Sequence, residues 1–347
     1  MAKKLNIGLI FGGNSPEHDI SILSAKKLST HLDLDFYQLQ LIYVCPKGAW
    51  YLIPSVLSLK SNYQKYLIII SPHYHGHVFL RSLDYSPINK IDVAFPIIHG
   101  NFGEDGRLQG FLDYLNIPYV GCGLSSAHLC YDKTLTKRIL KEAGMKVVPY
   151  LTIDKLQSNI PNFEQIKKQL GLPLIVKPAQ SGSSFGLSLV KHKTDWITAL
   201  EAAFLMGEVV LIESFIKGRE IECGVLGNEV CQTSLPGELL KGHEIYCTDE
   251  KYHHESSVKL DIPAKLPDHI IQQIQSMCIK AYQALRCKGM ARVDFFLSND
   301  NELYINEINT HPGFTSTSMY PKLMEHKGLP LKLLITQLIE LALKKHY

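Results

Sequence analysis

Through the first third of the chain, short apolar runs alternate with stretches whose apolar residues recur at helical spacing. Residues 6–11, 38–44 and 93–96 read as strands, a helix begins at Pro16, and residues 110–115 read as a second helix. Residues 118–121 form a further short strand, and residues 131–143 a helix with Gly144 as its C′ residue. Strands followed by helices predict a parallel α/β unit whose functional loops lie at strand C-termini. Ser15 suits the N-cap of the first helix, Pro16 its first position, and Glu17 the positive end of its dipole.

From Pro149 the pattern changes. Residues 174–177, 187–191 and 209–213 read as strands, with a helix from Asp195 between the last two. Beyond Ser214 come a strand at 220–226, a polar stretch at 237–257, a helix at 267–285 and a hairpin at 292–309. Residues 331–345 make an amphipathic closing helix with Leu331, Leu334, Ile335, Leu338, Leu341 and Ala342 on its apolar side. These changes of character divide the chain into 1–124, 125–213 and 214–347.

Composition narrows the class. A chain of 347 residues that is 46% hydrophobic and 20% charged is that of a folded globular protein of two or three packed units. A net charge of +3, with no basic stripe interleaved with aromatics, argues against nucleic acid and for local positive charge aimed at phosphates. The eight cysteines have no C-x-x-C pairing or metal-finger spacing and read as reduced, partly buried thiols. No run of eighteen apolar residues occurs, and the apolar stretch after Lys3 and Lys4 reads as a first strand rather than a signal peptide. The expectation is a cytoplasmic protein without membrane insertion.

The hairpin carries the clearest chemistry. If it is symmetric about Asp300-Asn301, Asp294 faces Glu307 and Arg292 faces Asn309, all four on one side of the ladder. Opposed like charges destabilise a ladder, and a divalent cation would reverse that sign. An all-oxygen set of Asp294, Glu307 and Asn309 suits Mg²⁺ holding phosphates; a solvated face with weak repulsion is the alternative. Lys177-Pro178-Ala179-Gln180-Ser181-Gly182-Ser183-Ser184-Phe185-Gly186 ends a strand in a lysine followed by small residues, chemistry for cradling phosphate oxygens. A Ser/Gly-rich hairpin loop is the plainer reading, and no Walker motif is present. Lys137 reads as a helix-surface lysine. Glu213 ends an apolar strand, either as an adenine partner or as the first solvated residue after it.

Taken in order, these segments resemble the D-alanine–D-alanine ligases of bacterial cell-wall synthesis, from Gly12 to about Leu343. The specific pieces are residues 12–21, 99–106, 177–186, 250–252 and 306–315. The resemblance implies a Rossmann-like α/β domain (1–124) followed by a two-lobed ATP-grasp fold, a central lobe (125–213) and a C-terminal lobe (214–347). It further implies that Lys137, Lys177, Ser183 and Ser184 hold ATP phosphates, and that Glu213, the backbone of Ser214, Phe215 and Ile216, and Glu220 hold adenine and ribose. Lys251 and Asn306 complete the nucleotide set. Asp294, Glu307 and Asn309 would bind two Mg²⁺ ions, with Mn²⁺ able to substitute.

By the same resemblance, Glu17 and His99 line the first D-alanine subsite. Lys251 and Tyr252 sit on a lid, with Tyr252 reaching toward Ser183 and Glu17. Arg292 and the Gly313 N–H stabilise the tetrahedral intermediate, and Ser318 with Met319 receives the second carboxylate. The implied reaction converts one D-alanine to an acylphosphate, which the second amine then attacks. A homodimer is compatible with this family. Two positions depart from its pattern: Ser214 replaces a longer polar residue and Met319 a leucine. The close alternative is a D-alanyl-D-lactate or D-alanyl-D-serine ligase. The distant one, a dinucleotide-dependent oxidoreductase, has no G-x-G-x-x-G to support it.

Overall fold

The computed structural model describes residues 4–60, 66–74, 77–81, 90–156, 161–240 and 259–345. In the first sheet, β1 (Leu5–Gly12) lies between β2 (Tyr37–Val44) and β6 (Val93–Pro96), parallel to both. Antiparallel strands β3 (Trp50–Ile53), β4 (Tyr66–Tyr74) and β5 (His77–Arg81) extend it beyond β2, giving the order β5-β4-β3-β2-β1-β6. This extension has no counterpart in the expected parallel unit. The region anticipated as a strand at 118–121 forms only a single parallel bridge, Tyr119 to Ala94.

Both faces of β1 are covered, which explains its unbroken apolar run. Ile7, Leu9 and Phe11 pack with Leu28 of α1 (His18–His31), while Ile10 points the other way, onto Leu108 and Leu112 of α2 (Arg107–Tyr114). The closing helix spans Leu331–Lys345, and its buried stripe of Leu334, Ile335, Leu338, Ile339 and Ala342 joins the core beneath β1 and β6. The end of the chain therefore returns to its first sheet.

The expected helix at 131–143 is α4 (Lys133–Glu142), and a separate helix, α3 (Leu124–Tyr131), precedes it. Asp132 breaks them: its backbone is extended, and its carboxylate accepts from the Thr134 and Leu135 N–H groups as the N-cap of α4. The second sheet has the order β7-β10-β8-β9, from β7 (Tyr150–Asp154), β8 (Leu174–Pro178), β9 (Ser188–Val190) and β10 (Val209–Ser214). It is backed by α5 (Phe163–Leu170) and α6 (Trp196–Phe204).

The third sheet runs β14 (Lys259–Asp261), β13 (Gly237–Leu240), β11 (Gly218–Gly227), β15 (Gly289–Ser298), β16 (Leu303–Asn309), with β12 (Cys231–Thr233) paired to β11. One face packs on α7 (Asp268–Ala284) through Ile270, Ile274, Cys278 and Ala281. The chain then passes through α8 (Met319–His326) to the closing helix α9. Seven cysteines among the described residues are free thiols, five of them buried; Cys247 lies outside those residues.

Candidate active site

A cleft of about 1280 Å³ reaches from Glu17 and His99 to β11, β15, β16 and the segment before α8. Three groups of side chains meet along it.

The first group holds buried positive charge. Lys137, expected on a helix surface, is fully buried; α4 turns it inward beneath the cleft. Its Nζ lies 2.7 Å from Glu213 Oε1, and Lys177 Nζ lies 2.7 Å from Glu213 Oε2. β10 pairs with β8 so that Glu213 and Lys177 are near neighbours in the ladder, and one carboxylate bridges two ammonium groups. Burial pushes the Glu213 carboxyl up, but the two lysines outweigh it and hold it below the usual carboxylate range. Burial likewise lowers Lys137, which Glu213 opposes in part. Both lysines also reach Asn306: Lys137 donates to its carbonyl at 3.2 Å and Lys177 to its side-chain oxygen at 3.4 Å. Glu213 is thus not the solvated strand end considered above. Ser214 donates its hydroxyl to Leu170 O at 2.8 Å, so its side chain is engaged with the α5 end. Phe215, Ile216 and Glu220 line the cleft wall next to it.

The second group is the hairpin. Asp294 faces Glu307 and Arg292 faces Asn309, as the expected register requires. The turn, however, is centred one half-step earlier: Ser298 N donates to Glu302 O, Phe295 faces Ile305, and a bulge restores the register between Phe295 and Asp294. Asn306 is the extra residue, and bulging it out is what lets its carbonyl and amide face the two lysines. Arg292 grips Asp294 with two hydrogen bonds, Nε to Oδ1 and Nη2 to Oδ2, each 2.7 Å, and its Nε lies 2.9 Å from Glu222 Oε2. Burial disfavours the guanidinium charge, but Asp294 and Glu222 more than compensate and raise its pKa. Lys133 Nζ lies 3.7 Å from Glu307 Oε2 and donates to Ser181 O. Asn309 Oδ1 accepts from His311 N at 2.8 Å. Among the described residues no three His, Cys, Asp or Glu side chains converge as a ready metal cage. The donors here are two carboxylates and an amide oxygen, each carboxylate already beside a cation. Such a hard, charge-demanding set fits a divalent cation completed by phosphate oxygens and water.

The third group joins the first sheet to the phosphate loop. Ser183 donates its hydroxyl to Glu17 Oε1, across 166 residues of chain. Ser183 and Ser184 have φ of +51° and +61°, a left-handed pair that costs roughly 1–2 kcal/mol per residue and sets the loop's small-residue composition. A Cβ at Gly182 would lie 2.9 Å from Glu17 Oε2, so glycine is what permits the close approach. Ser15 does not cap α1, which begins at His18 with Glu17 at its N-cap position and no side-chain cap. Its buried hydroxyl accepts from Glu17 N at 3.2 Å and donates to His99 O at 2.6 Å, tying the loop after β1 to the loop after β6. His99 is buried, with Nδ1 3.4 Å from Glu104 Oε1 and its ring edge-on to His311. Burial alone would lower the His99 pKa; Glu104 and Glu17 outweigh it and raise it. Gly313 sits close by, its Cβ direction 2.9 Å from Ser318 Oγ and 3.9 Å from the His99 ring. Ser318 Oγ accepts from Thr315 N at 2.9 Å, and Met319 begins α8, buried at the cleft edge.

The cleft thus gathers every described candidate, with Lys137 buried behind its wall. Lys251 and Tyr252 lie outside the described residues. Sequence reading passed over Glu222, Lys133 and the role of Glu104. Lys133 stands one helical turn before Lys137, a spacing that could have marked both as inward-facing. Among the described residues no helix is long and apolar enough to cross a membrane.

Sequence profiles described as "D-ala D-ala ligase N-terminus" and "D-ala D-ala ligase C-terminus" match residues 6–122 and 139–340. A D-alanine–D-alanine ligase from Proteus mirabilis is 45% identical, covering 99% of this chain and 96% of its own. Among solved structures, the D-alanine-D-alanine ligase from Coxiella burnetii superposes with a TM-score of 0.87 at 36% identity, covering 99% of this chain and 96% of the other. The VanG D-Ala:D-Ser ligase from Enterococcus faecalis does so with 0.88 at 32%, covering 98% and 100%.

Proposed function

Because the chain belongs to the D-alanine–D-alanine ligase family of ATP-grasp enzymes, we propose that it joins two D-alanines at the expense of ATP, in the cytoplasm, for peptidoglycan synthesis. The carrying observation is the meeting, in one cleft, of a paired-lysine pocket, an oxygen-donor hairpin and the Glu17–Ser183 junction.

Each group has a distinct task in this reading, and the division into 1–124, 125–213 and 214–347 follows it. Lys137, Lys177, Ser183 and Ser184 hold the ATP phosphates, and Lys251 belongs to the same nucleotide set. Glu213, the 214–216 backbone and Glu220 hold adenine and ribose, while Asn306 links the lysines to the hairpin. Asp294, Glu307 and Asn309 would hold two Mg²⁺ ions, or Mn²⁺, which when bound would neutralise phosphate charge and align the transferred group. Glu17 and His99 bind the first D-alanine, whose carboxylate attacks the γ-phosphate and releases ADP. Ser318 and Met319 receive the second carboxylate. Its amine attacks the acyl carbon, Arg292 and the Gly313 N–H stabilise the oxyanion, and phosphate leaves. Tyr252 helps exclude water from the acylphosphate.

The test is phosphate release from ATP and Mg²⁺ with D-alanine, against L-alanine, D-serine and D-lactate. Preference for D-alanine at both subsites supports the reading. The VanG neighbour motivates the D-serine arm; dominant D-alanyl-D-serine product would shift the assignment to that branch.

A further inference from the structure

The third sheet places three carboxylates in one cross-strand row. β11 pairs with β15 so that Glu222 faces Asp294, and β15 pairs with β16 so that Asp294 faces Glu307. Opposed like charges destabilise such a row unless cations intervene. Lys133 stands at the Glu307 end and Arg292 at the other, between Asp294 and Glu222.

Arg292 Nε carries a single hydrogen, so it can serve only one strong acceptor at a time. That hydrogen is given to Asp294 Oδ1 at 2.7 Å, and Nη2 takes the second oxygen of the same carboxylate. Glu222 Oε2 lies 2.9 Å from the same Nε. A metal ion at Asp294 would draw on the same two oxygens that accept from the guanidinium and would compete with it for their charge. Once they are taken, Arg292 would be left beside a divalent cation in a buried site, where repulsion is weakly screened. Glu222, 5% exposed, is the second anion already within reach.

We propose that Glu222 is a positioning residue that takes over the Arg292 Nε–H when a divalent cation claims Asp294. The guanidinium then turns from counter-ion of Asp294 into the fixed cation facing the reacting carbonyl. This rests on the assignment above of Asp294 as metal ligand and Arg292 as oxyanion partner. In this role Glu222 acts through Arg292.

The test is a mutant cycle on the full-length enzyme. Mn²⁺ binding is followed by electron paramagnetic resonance in the presence of a non-hydrolysable ATP analogue, without turnover. Glu222→Leu removes the acceptor, and Glu222→Gln keeps a neutral one. Without Glu222, Arg292 depends on Asp294 alone and competes harder with the metal. Mn²⁺ binding should weaken by about 10-fold or more in Glu222→Leu and less in Glu222→Gln, the range seen for outer-shell partners. In an Arg292→Met background, either change should add nothing. At saturating Mg²⁺, Glu222→Leu should recover its KM for ATP while kcat stays low. Equal weakening with and without Arg292 would mean simple loss of charge and would overturn the proposal, as would unchanged Mn²⁺ binding. Wild-type turnover by Arg292→Met would remove instead the oxyanion assignment beneath it, whatever the binding cycle gives.

Discussion

Replacing Glu213 by glutamine should destabilise the protein by about 3–5 kcal/mol, the usual consequence of breaking a buried ion pair from one side. Glu213 is the shared counter-ion of two ammonium groups, each 2.7 Å away, and Lys137 has no solvent exposure. At an effective dielectric constant near 20, each contact is worth about 6 kcal/mol before desolvation is subtracted. Glutamine keeps the shape but leaves two buried like charges side by side. Burial already lowers the Lys137 pKa against the pull of Glu213; with that pull removed it should fall further. The sign of the pH effect follows. The folded mutant binds fewer protons at Lys137 than the unfolded chain does. Its stability should therefore rise with pH, by up to about 1.4 kcal/mol per unit, until the unfolded lysine also titrates. Urea unfolding of both proteins from pH 7 to 9, without nucleotide, measures loss and slope together. A loss under about 0.5 kcal/mol, the size expected of an unremarkable surface change, with a slope equal to wild type would refute the paired-lysine pocket.

Other substitutions separate the remaining groups. Glu307→Gln should abolish turnover while leaving the metal-free stability within about 0.5 kcal/mol, because relief of its opposition to Asp294 offsets loss of the Lys133 contact; phosphate release and thermal unfolding check the two halves. Lys177→Met should weaken ATP binding far more than D-alanine binding and slow chemistry by roughly a hundredfold, as loss of an electrostatic stabiliser does; calorimetric titration of each ligand tests the split. Gly313→Ala places a methyl 2.9 Å from Ser318 Oγ and beside the His99 ring, so kcat for ligation should fall while ATP affinity is retained. Equal loss of both would locate its effect outside the acceptor subsite.

Much of this site was legible in the sequence where one local rule was enough. The facing of Asp294 with Glu307 follows from hairpin alternation, yet a bulge at Asn306 had to compensate a shifted turn for that register to hold. Strand periodicity cannot reveal a bulge, nor the contact it creates with Lys137 and Lys177. Lys137 read as a surface lysine because a helix face is only defined by what packs on it, here Glu213 from a strand about 75 residues away. Ser15 has the chemistry of an N-cap and does accept from Glu17 N, but the helix starts later, at His18, and the hydroxyl's own proton goes to the His99 carbonyl. Glu222 is silent in sequence: an acidic residue in a strand gains meaning only when pairing sets it opposite Asp294. The antiparallel extension β3–β5 was also missed, although Pro46-Lys47-Gly48, Pro54-Ser55 and Gly76 supply turn signals around its strands.

The central claim, that a D-alanine carboxylate is phosphorylated before the peptide bond forms, is tested most directly by isotope transfer. D-Alanine labelled with ¹⁸O in both carboxylate oxygens would be incubated with enzyme, ATP and Mg²⁺, and the phosphate and dipeptide weighed by mass spectrometry. The account predicts one ¹⁸O in each phosphate released and one fewer in the new amide carbonyl than in the starting carboxylate. Dipeptide formed alongside unlabelled phosphate would contradict it.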